Sequence, residues 1–219
     1  MKKRYLGILA TFMALATIPM FSSNPISEVG AADENGKITV GGVPNTFGSN
    51  DYVSKFSQTV TASGGTSNLE VTIELYKDVS ASYLVSPSYL YSYVEIKLNG
   101  HNFKVTSAST CTLAGLNIDG GGGTIDFGNV YNSGRIFSFD KGDGKAVFSV
   151  KNVKMINMKA DQLFVLDKCA AGLSTINFEN CYFSGGTFED EGGILCNDVD
   201  QIKTINFKNW RKRKNKCRK

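Results

Sequence analysis

The sequence predicts an all-β protein, a right-handed parallel β-helix, and three observations point to that fold. Two short apolar motifs recur along the chain, with a period close to 28. Glycine and asparagine separate the motifs, which is typical of short strands joined by tight turns. No stretch after Asp33 shows a helical period flanked by capping residues, so βαβ crossovers are not expected.

The first motif has the pattern apolar, small polar, apolar, charged, Asn. Its three clear copies are residues 148–152, 176–180 and 205–209. Copies repeated this evenly are expected to stack as coils, with equivalent side chains about 4.8 Å apart. Asparagine tolerates the left-handed backbone of a sharp corner, and its amide both donates and accepts. The spacing predicts an amide ladder of Asn152, Asn180 and Asn209; unrelated asparagines in separate hairpin turns are the alternative.

The second motif runs apolar and ends in an acidic residue. Its copies are residues 136–140, 163–167 and 194–198, at spacings of 27 and 31. Two independent motifs with similar periods are typical of a solenoid, in which each coil buries its inward side chains on the next. Stacking of these copies would place Asp140, Asp167 and Asp198 in one acidic row.

The segment 1–32 resembles a secretory signal. Lys2, Lys3 and Arg4 precede an uncharged apolar run from Leu6 to Phe21, and small residues at 30–32 predict cleavage after Ala32. An uncleaved membrane anchor is the alternative, but the run is shorter than the roughly 20 residues of a spanning helix.

The remaining chain divides into three parts. Residues 33–69 are polar and predict an irregular N-terminal cap or linker, and residues 70–210 predict the β-helix coils. Residues 211–219 form a basic tail that interrupts the repeat after Asn209. One hypothesis is a truncated or frame-shifted gene product, and the other is a tail that binds an anionic cell-wall polymer.

The formal charge of +4 comes from the two ends of the chain. Residues 33–210 carry 14 basic and 19 acidic groups, a net charge of −5. With no aromatic residues among the terminal charges and an export signal, nucleic acid is not an expected partner. The five cysteines form no C-x-x-C pair, so a zinc site is not predicted. Buried free thiols are preferred over disulfides, because the count is odd.

Three segments carry a family resemblance: residues 116–127 (L-N-I-D-G-G-G-G-T-I-D-F), 176–183 (I-N-F-E-N-C-Y-F) and 192–195 (G-G-I-L). They resemble the repeats of adhesin-like surface proteins with right-handed parallel β-helices of the pectate-lyase-like or polymorphic-membrane-protein type. The resemblance covers about residues 94–210. It implies a surface or secreted protein, and it implies that enzymes of this fold act through acidic clusters.

Candidate catalytic groups are few. The single histidine, His101, lies in a predicted turn, so a histidine-dependent triad is not expected. The stacked aspartates could act as acid and base on a glycosidic bond or bind Ca²⁺. Arg135, the only arginine between residues 5 and 210, is the one basic candidate beside them. Because aspartate is also a common turn residue, the sequence predicts no catalytic residue and no cofactor, and the acidic row is the alternative.

These observations predict a secreted or cell-surface, non-enzymatic β-helix. It would bind a surface protein or polysaccharide of a host or neighbouring cell through its lateral faces, and after signal cleavage it would have no membrane span. The alternative is a polysaccharide lyase or glycoside hydrolase of the β-helix type, or a remnant of one, that uses Asp140, Asp167 and Asp198.

Overall fold

The computed structural model describes residues 33–65, 68–87, 92–139, 148–166, 175–184, 187–188, 195–197, 204–209 and 211–212. The predicted signal at 1–32 and residues 213–219 of the basic tail lie outside this range. The described strands are, in chain order, β1 (Gly36–Val40), β2 (Val43–Phe47), β3 (Glu70–Leu75), β4 (Val79–Ala81), β5 (Ser92–Lys97), β6 (Asn102–Val105), β7 (Cys111–Asp119), β8 (Thr124–Asp126), β9 (Tyr131–Phe139), β10 (Phe148–Lys151), β11 (Lys154–Ile156), β12 (Lys159–Leu166), β13 (Thr175–Glu179), β14 (Tyr182–Ser184), β15 (Thr187–Phe188), β16 (Leu195–Asn197), β17 (Thr204–Lys208) and β18 (Arg211–Lys212). The helix α1 is Tyr52–Ser63.

The segment before β3 forms a hairpin and a helix, so the expectation that residues 33–69 are irregular is wrong, and α1 is a helix whose period was not recognised in the sequence. β1 pairs antiparallel with β2 on one side and with β3 on the other. The side chains that α1 buries recur with the period of one helix face: Tyr52, Phe56, Thr59 and Val60. Gly64 ends the helix in the left-handed conformation. Thr59 lies on this buried face, and the serine and threonine residues of the helix obscure the apolar period in the sequence.

The solenoid begins at β3, and its first wall is a stack of six parallel strands: β3, β5, β7, β10, β13 and β17. Successive strands keep one register, so a single inward position recurs in every coil. In the first five strands this position is occupied by Ile73, Ile96, Ile118, Val150 and Phe178, each at most 1% exposed. The alternation of buried and exposed residues along each strand produces this column.

A six-stranded sheet forms the second wall, in the order β18, β14, β11, β8, β6 and β4, with every pair parallel. Its inward column is also apolar and buried, and consists of Val79, Phe103, Ile125, Met155 and Phe183. The third wall joins the first residues of β7 to β9, β9 to β12, and β12 to β15 and β16, again in parallel. The predicted parallel β-helix is therefore confirmed.

Aromatic rings fill the centre of the solenoid. Phe137 stacks on Phe164 with ring centroids 5.2 Å apart, and Phe148 meets Phe164 edge-on at 5.3 Å. Phe178 packs against Phe148 on one side and stacks on Phe207 on the other. The stacked pairs join consecutive coils, and the edge-on contact of Phe148 with Phe164 joins the first wall to the third. In the part of the chain that the structure describes, no helix has both the length and the hydrophobicity needed to cross a membrane.

Candidate functional site

The three asparagines of the predicted ladder lie at equivalent corners, directly after β10, β13 and β17. Asn180 Nδ2 donates to Asn152 Oδ1 at 2.9 Å, and Asn209 Nδ2 donates to Asn180 Oδ1 at 3.0 Å. All three adopt the left-handed backbone, with φ of 54°, 52° and 52°. The bonds run along the solenoid axis from coil to coil, which is the geometry of a ladder rather than of separate hairpin turns. We refer to these three residues as the amide ladder.

A carboxylate stands at the start of the amide ladder. Asn152 Nδ2 donates to Asp119 Oδ1 at 3.3 Å, and the Gly121 amide donates to the same oxygen at 3.1 Å. Lys151 Nζ lies 3.1 Å from Asp119 Oδ2. Burial raises the pKa of Asp119, but the bonds from Lys151, Gly121 and Asn152 outweigh it and hold that pKa below its ordinary value. The ladder therefore begins at a negatively charged group.

A column of alternating charge runs along the outer side of the first wall, and sequence analysis missed it. Register pairs its members in the order Lys37, Glu74, Lys97, Asp119, Lys151, Glu179 and Lys208. Lys37 lies 3.4 Å from Glu74, and Lys208 lies 2.6 Å from Glu179. Each pair is exposed and contributes little alone, yet no two like charges are neighbours in this column. The sequence signal was available in T-I-N-F-E at 175–179 against T-I-N-F-K at 204–208.

The outer side of the six-stranded sheet, which we call the six-strand face, is mostly polar, with the partly exposed Ile156 as an apolar member. Its partly or fully exposed side chains include Asp78, Ser80, Asn102, Lys104, Thr124, Asp126, Lys154 and Tyr182. Two open grooves lie on it and adjoin where β8 pairs with β11. One groove contains the acidic residues, and the other contains the tyrosine.

Hydrogen bonds engage both carboxylates of the acidic groove. Asp78 accepts from the Asn102 amide at 2.8 Å and from Asn102 Nδ2 at 3.0 Å, and these bonds lower the pKa of Asp78. His101 Nδ1 lies 3.8 Å from Asp78 Oδ1. Asp126 Oδ1 accepts from the Gly128 amide at 2.8 Å and from Asn157 Nδ2 at 2.9 Å. A lowered pKa is the opposite of what a general acid needs, and the two bonds tie Asp78 to the start of β6.

The second groove brings together an aromatic ring, an ammonium group and the amide ladder. It is lined by Gly121, Gly122, Asn152, Val153, Lys154, Asn180 and Tyr182. Tyr182 lies beside Lys154 in the neighbouring strand, and its backbone amide donates to the Val153 carbonyl at 3.0 Å. Gly122 has a φ of 95°, and no atom lies within 4 Å of the position that its Cβ would occupy. The glycine corner therefore leaves this side of the groove open. We call it the tyrosine groove.

The predicted acidic row, Asp140, Asp167 and Asp198, lies outside the described residues. The strands that lead to it are in register, because Ser138 pairs with Val165 and Leu166 pairs with Asn197. Arg135 lies in β9, and its Nη1 donates to Ser138 Oγ at 3.4 Å. The described residues contain no group of three or more His, Cys, Asp or Glu side chains that could hold a metal ion.

Two cysteines, Cys111 and Cys181, are buried free thiols, in agreement with the interpretation preferred from the sequence. Their Sγ atoms donate to the carbonyls of Val85 and Val150 at 3.2 Å and 3.0 Å. Burial raises the pKa of Cys111 to about 12 and that of Cys181 to about 11. Neither thiol is thus ionised at neutral pH, and neither is suited to nucleophilic chemistry. The other three cysteine side chains lie outside the described part.

The description of the fold and of the grooves rests on the geometry alone, without support from a known relative. Comparisons with protein-family models, with curated proteins and with solved structures found no match to this chain.

Proposed function

We propose that this protein is an exported, non-enzymatic β-helix that binds a glycan along its six-strand face. The observation that supports this proposal is the tyrosine groove, in which Tyr182 lies beside Lys154 and the amides of Asn152 and Asn180. A partly exposed tyrosine ring presents an apolar surface with a polar tip, as a sugar ring requires. The amides and the ammonium group supply hydrogen bonds around it.

The amide ladder leaves hydrogen-bonding capacity for a ligand. A carboxamide has two N–H donors and an oxygen with two lone pairs. The ladder bonds of Asn180 use one donor and one acceptor position. The remaining positions of this exposed side chain are available to hydroxyl groups, which both donate and accept.

A solenoid also matches a polymer in its periodicity. Equivalent side chains of the six-strand face recur at the strand spacing of about 4.8 Å, so a linear polysaccharide can contact several coils in succession. Lys154 in the tyrosine groove favours an acidic sugar, whereas Asp78 and Asp126 at the other end do not. An acidic polysaccharide would therefore bind at the tyrosine groove first.

Export and surface location are part of the proposal and rest on the signal pattern of residues 1–32. The protein would then bind its polysaccharide partner outside the cell. A surface protein is the other partner class that the sequence analysis expects, and a glycan-binding assay separates the two.

The test is binding of the purified protein to immobilised acidic and neutral polysaccharides. We expect Tyr182→Ala and Lys154→Ala each to weaken binding about tenfold, equivalent to about 1.4 kcal/mol. Tyr76→Ala is the matched control, because Tyr76 is 37% exposed and does not line the groove. Equal losses in all three variants, or no glycan binding at all, would refute the proposal.

The same assay also tests the enzymatic alternative. The in-register strand ends before Asp140, Asp167 and Asp198 are the observation that keeps it open. New reducing or unsaturated sugar ends, abolished in Asp140→Asn and Asp167→Asn, would establish cleavage by paired carboxylates. Binding without cleavage, unchanged in both variants, is the result that a non-enzymatic protein gives.

A further inference from the structure

The outer side of the first wall carries two parallel columns of polar side chains. One is the charge column. The other lies two residues away along each strand, and we call it the short column because most of its members are threonine, serine or asparagine. Its members in register are Thr39, Thr72, Glu95, Asn117, Ser149 and Asn177. All of them are at least partly exposed, so another flat surface can approach this face closely.

We propose that this face binds a second copy of the chain in a symmetric dimer, with the two solenoid axes antiparallel. The charge column from Lys37 to Glu179 alternates in sign, begins with a positive charge and ends with a negative one. The reversed column of a second copy is therefore its complement. The facing pairs would be Lys37 with Glu179, Glu74 with Lys151, and Lys97 with Asp119, each of them twice because of the two-fold symmetry.

The two columns together specify the register and the direction of the second copy. A shift by one strand would place like charges opposite each other along the whole charge column, which is unfavourable. With parallel axes, the strand direction of the second copy would be reversed, so only one of the two columns could face its own copy. In the antiparallel arrangement both columns match, and the short column pairs Thr39 with Asn177, Thr72 with Ser149, and Glu95 with Asn117.

The charges of this face have capacity for a further partner. The side chains of Lys37, Glu74, Lys151 and Asp119 are between 28% and 40% exposed, although they form ion pairs within the chain. An ammonium group has three donors and a carboxylate has about four acceptor positions, so each can bind a second opposite charge. The face is about 25 Å long and about 17 Å wide, from the spacing of strands and of residues along them. Its area is roughly half that of a standard interface, and exposed ion pairs are individually weak, so the dimer should be weak and salt-dependent.

The test is sedimentation velocity of the purified protein from about 1 μM to about 1 mM, at low and at high salt. We expect a dimer at low salt that dissociates at high salt. Lys151→Glu and Glu74→Lys each place like charges opposite each other in the dimer, and each should raise its dissociation constant about tenfold or more. Lys104→Glu is the matched control for Lys151→Glu, because it makes the same charge change on the six-strand face.

A mixture of Lys151→Glu with Glu74→Lys should restore the dimer, because the exchanged pairs again join opposite charges in a mixed dimer. A fluorescent label on one variant identifies this species in the sedimentation profile.

Circular dichroism and the thermal midpoint show whether the variants are folded. Thr72→Arg is a second way to block the dimer, because it leaves the charge column unchanged and places a large side chain between the two faces. A protein that stays monomeric at every concentration, a dimer that neither salt nor these variants weaken, or a mixture that associates no more tightly than its separate components would overturn the proposal. Because the six-strand face takes no part in the dimer, failure here leaves the glycan-binding test unaffected.

Discussion

The two ends of the first wall differ in how much of the strand edge and of the apolar column other elements cover. At the N-terminal end, β1 pairs with the free edge of β3, and α1 covers the first coils with Tyr52 and Phe56. The Tyr52 ring lies 5.0 Å from Phe47 and 5.2 Å from Phe103. At the other end, the described partner of β17 is β13 alone, and Phe207 is half exposed.

The comparison shows that a coil of this solenoid does not close itself. Each coil offers the same apolar column and the same backbone edge to the next, so only a different structure can end the stack. The antiparallel hairpin and the amphipathic helix are that structure at one end. Substitutions at the buried N-terminal end should therefore be more costly than the same substitutions in β17, where Phe207 is half exposed.

The largest effect is expected from Phe56→Ala at the closed end. Phe56 is fully buried, so its loss should lower the free energy of unfolding by about 3–5 kcal/mol in urea denaturation. Phe207→Ala makes the same chemical change in β17, where about half of the side chain is exposed, and should cost about 1–2 kcal/mol. Equal losses would show that the two ends are equally closed.

A smaller effect is expected along the amide ladder. Asn180 has ladder bonds on both sides and a left-handed backbone, so Asn180→Ala should cost about 2 kcal/mol. Asn209 has one described ladder bond, and Asn209→Ala should cost about half as much. Asn180→Gly keeps the left-handed backbone and should fall between wild type and alanine. If glycine were as costly as alanine, backbone strain would play no part.

The smallest effect is expected at acid pH, from Asp119 in the middle of the first wall. The folded pKa of Asp119 lies below its ordinary value of 3.8. Its contribution is therefore complete above about pH 4 and is lost as the pH falls through the lower folded pKa. Asp119→Asn should lose less stability than wild type between pH 4 and pH 2, as followed by the urea midpoint. Since the side chain is 39% exposed, the difference should be small, and Lys151→Gln should give an intermediate slope.

Some parts of the fold follow from local chemistry and were predictable. The period of two along each strand identifies the inward column, and the recurring asparagine identifies the corner, because few residues other than glycine tolerate its positive φ. The helix α1 was missed, since threonine at position 59 is buried and interrupts the apolar pattern. The tyrosine groove was missed because it joins Gly121, Asn152 and Tyr182 across three coils.

The charge column is a feature that the sequence contains but that only the register of the folded coils makes visible. Its members from Glu74 to Lys208 are unevenly spaced along the chain, so no single period reveals the alternation. Turns of different length absorb the differences, and the register becomes defined only when the inward columns pack. The sequence alone established a parallel solenoid with asparagine corners, because strand alternation and left-handed turns depend on neighbouring residues. Which charges and amides meet on its outer faces was decided by the tertiary structure, because the packing of one coil on the next sets the register.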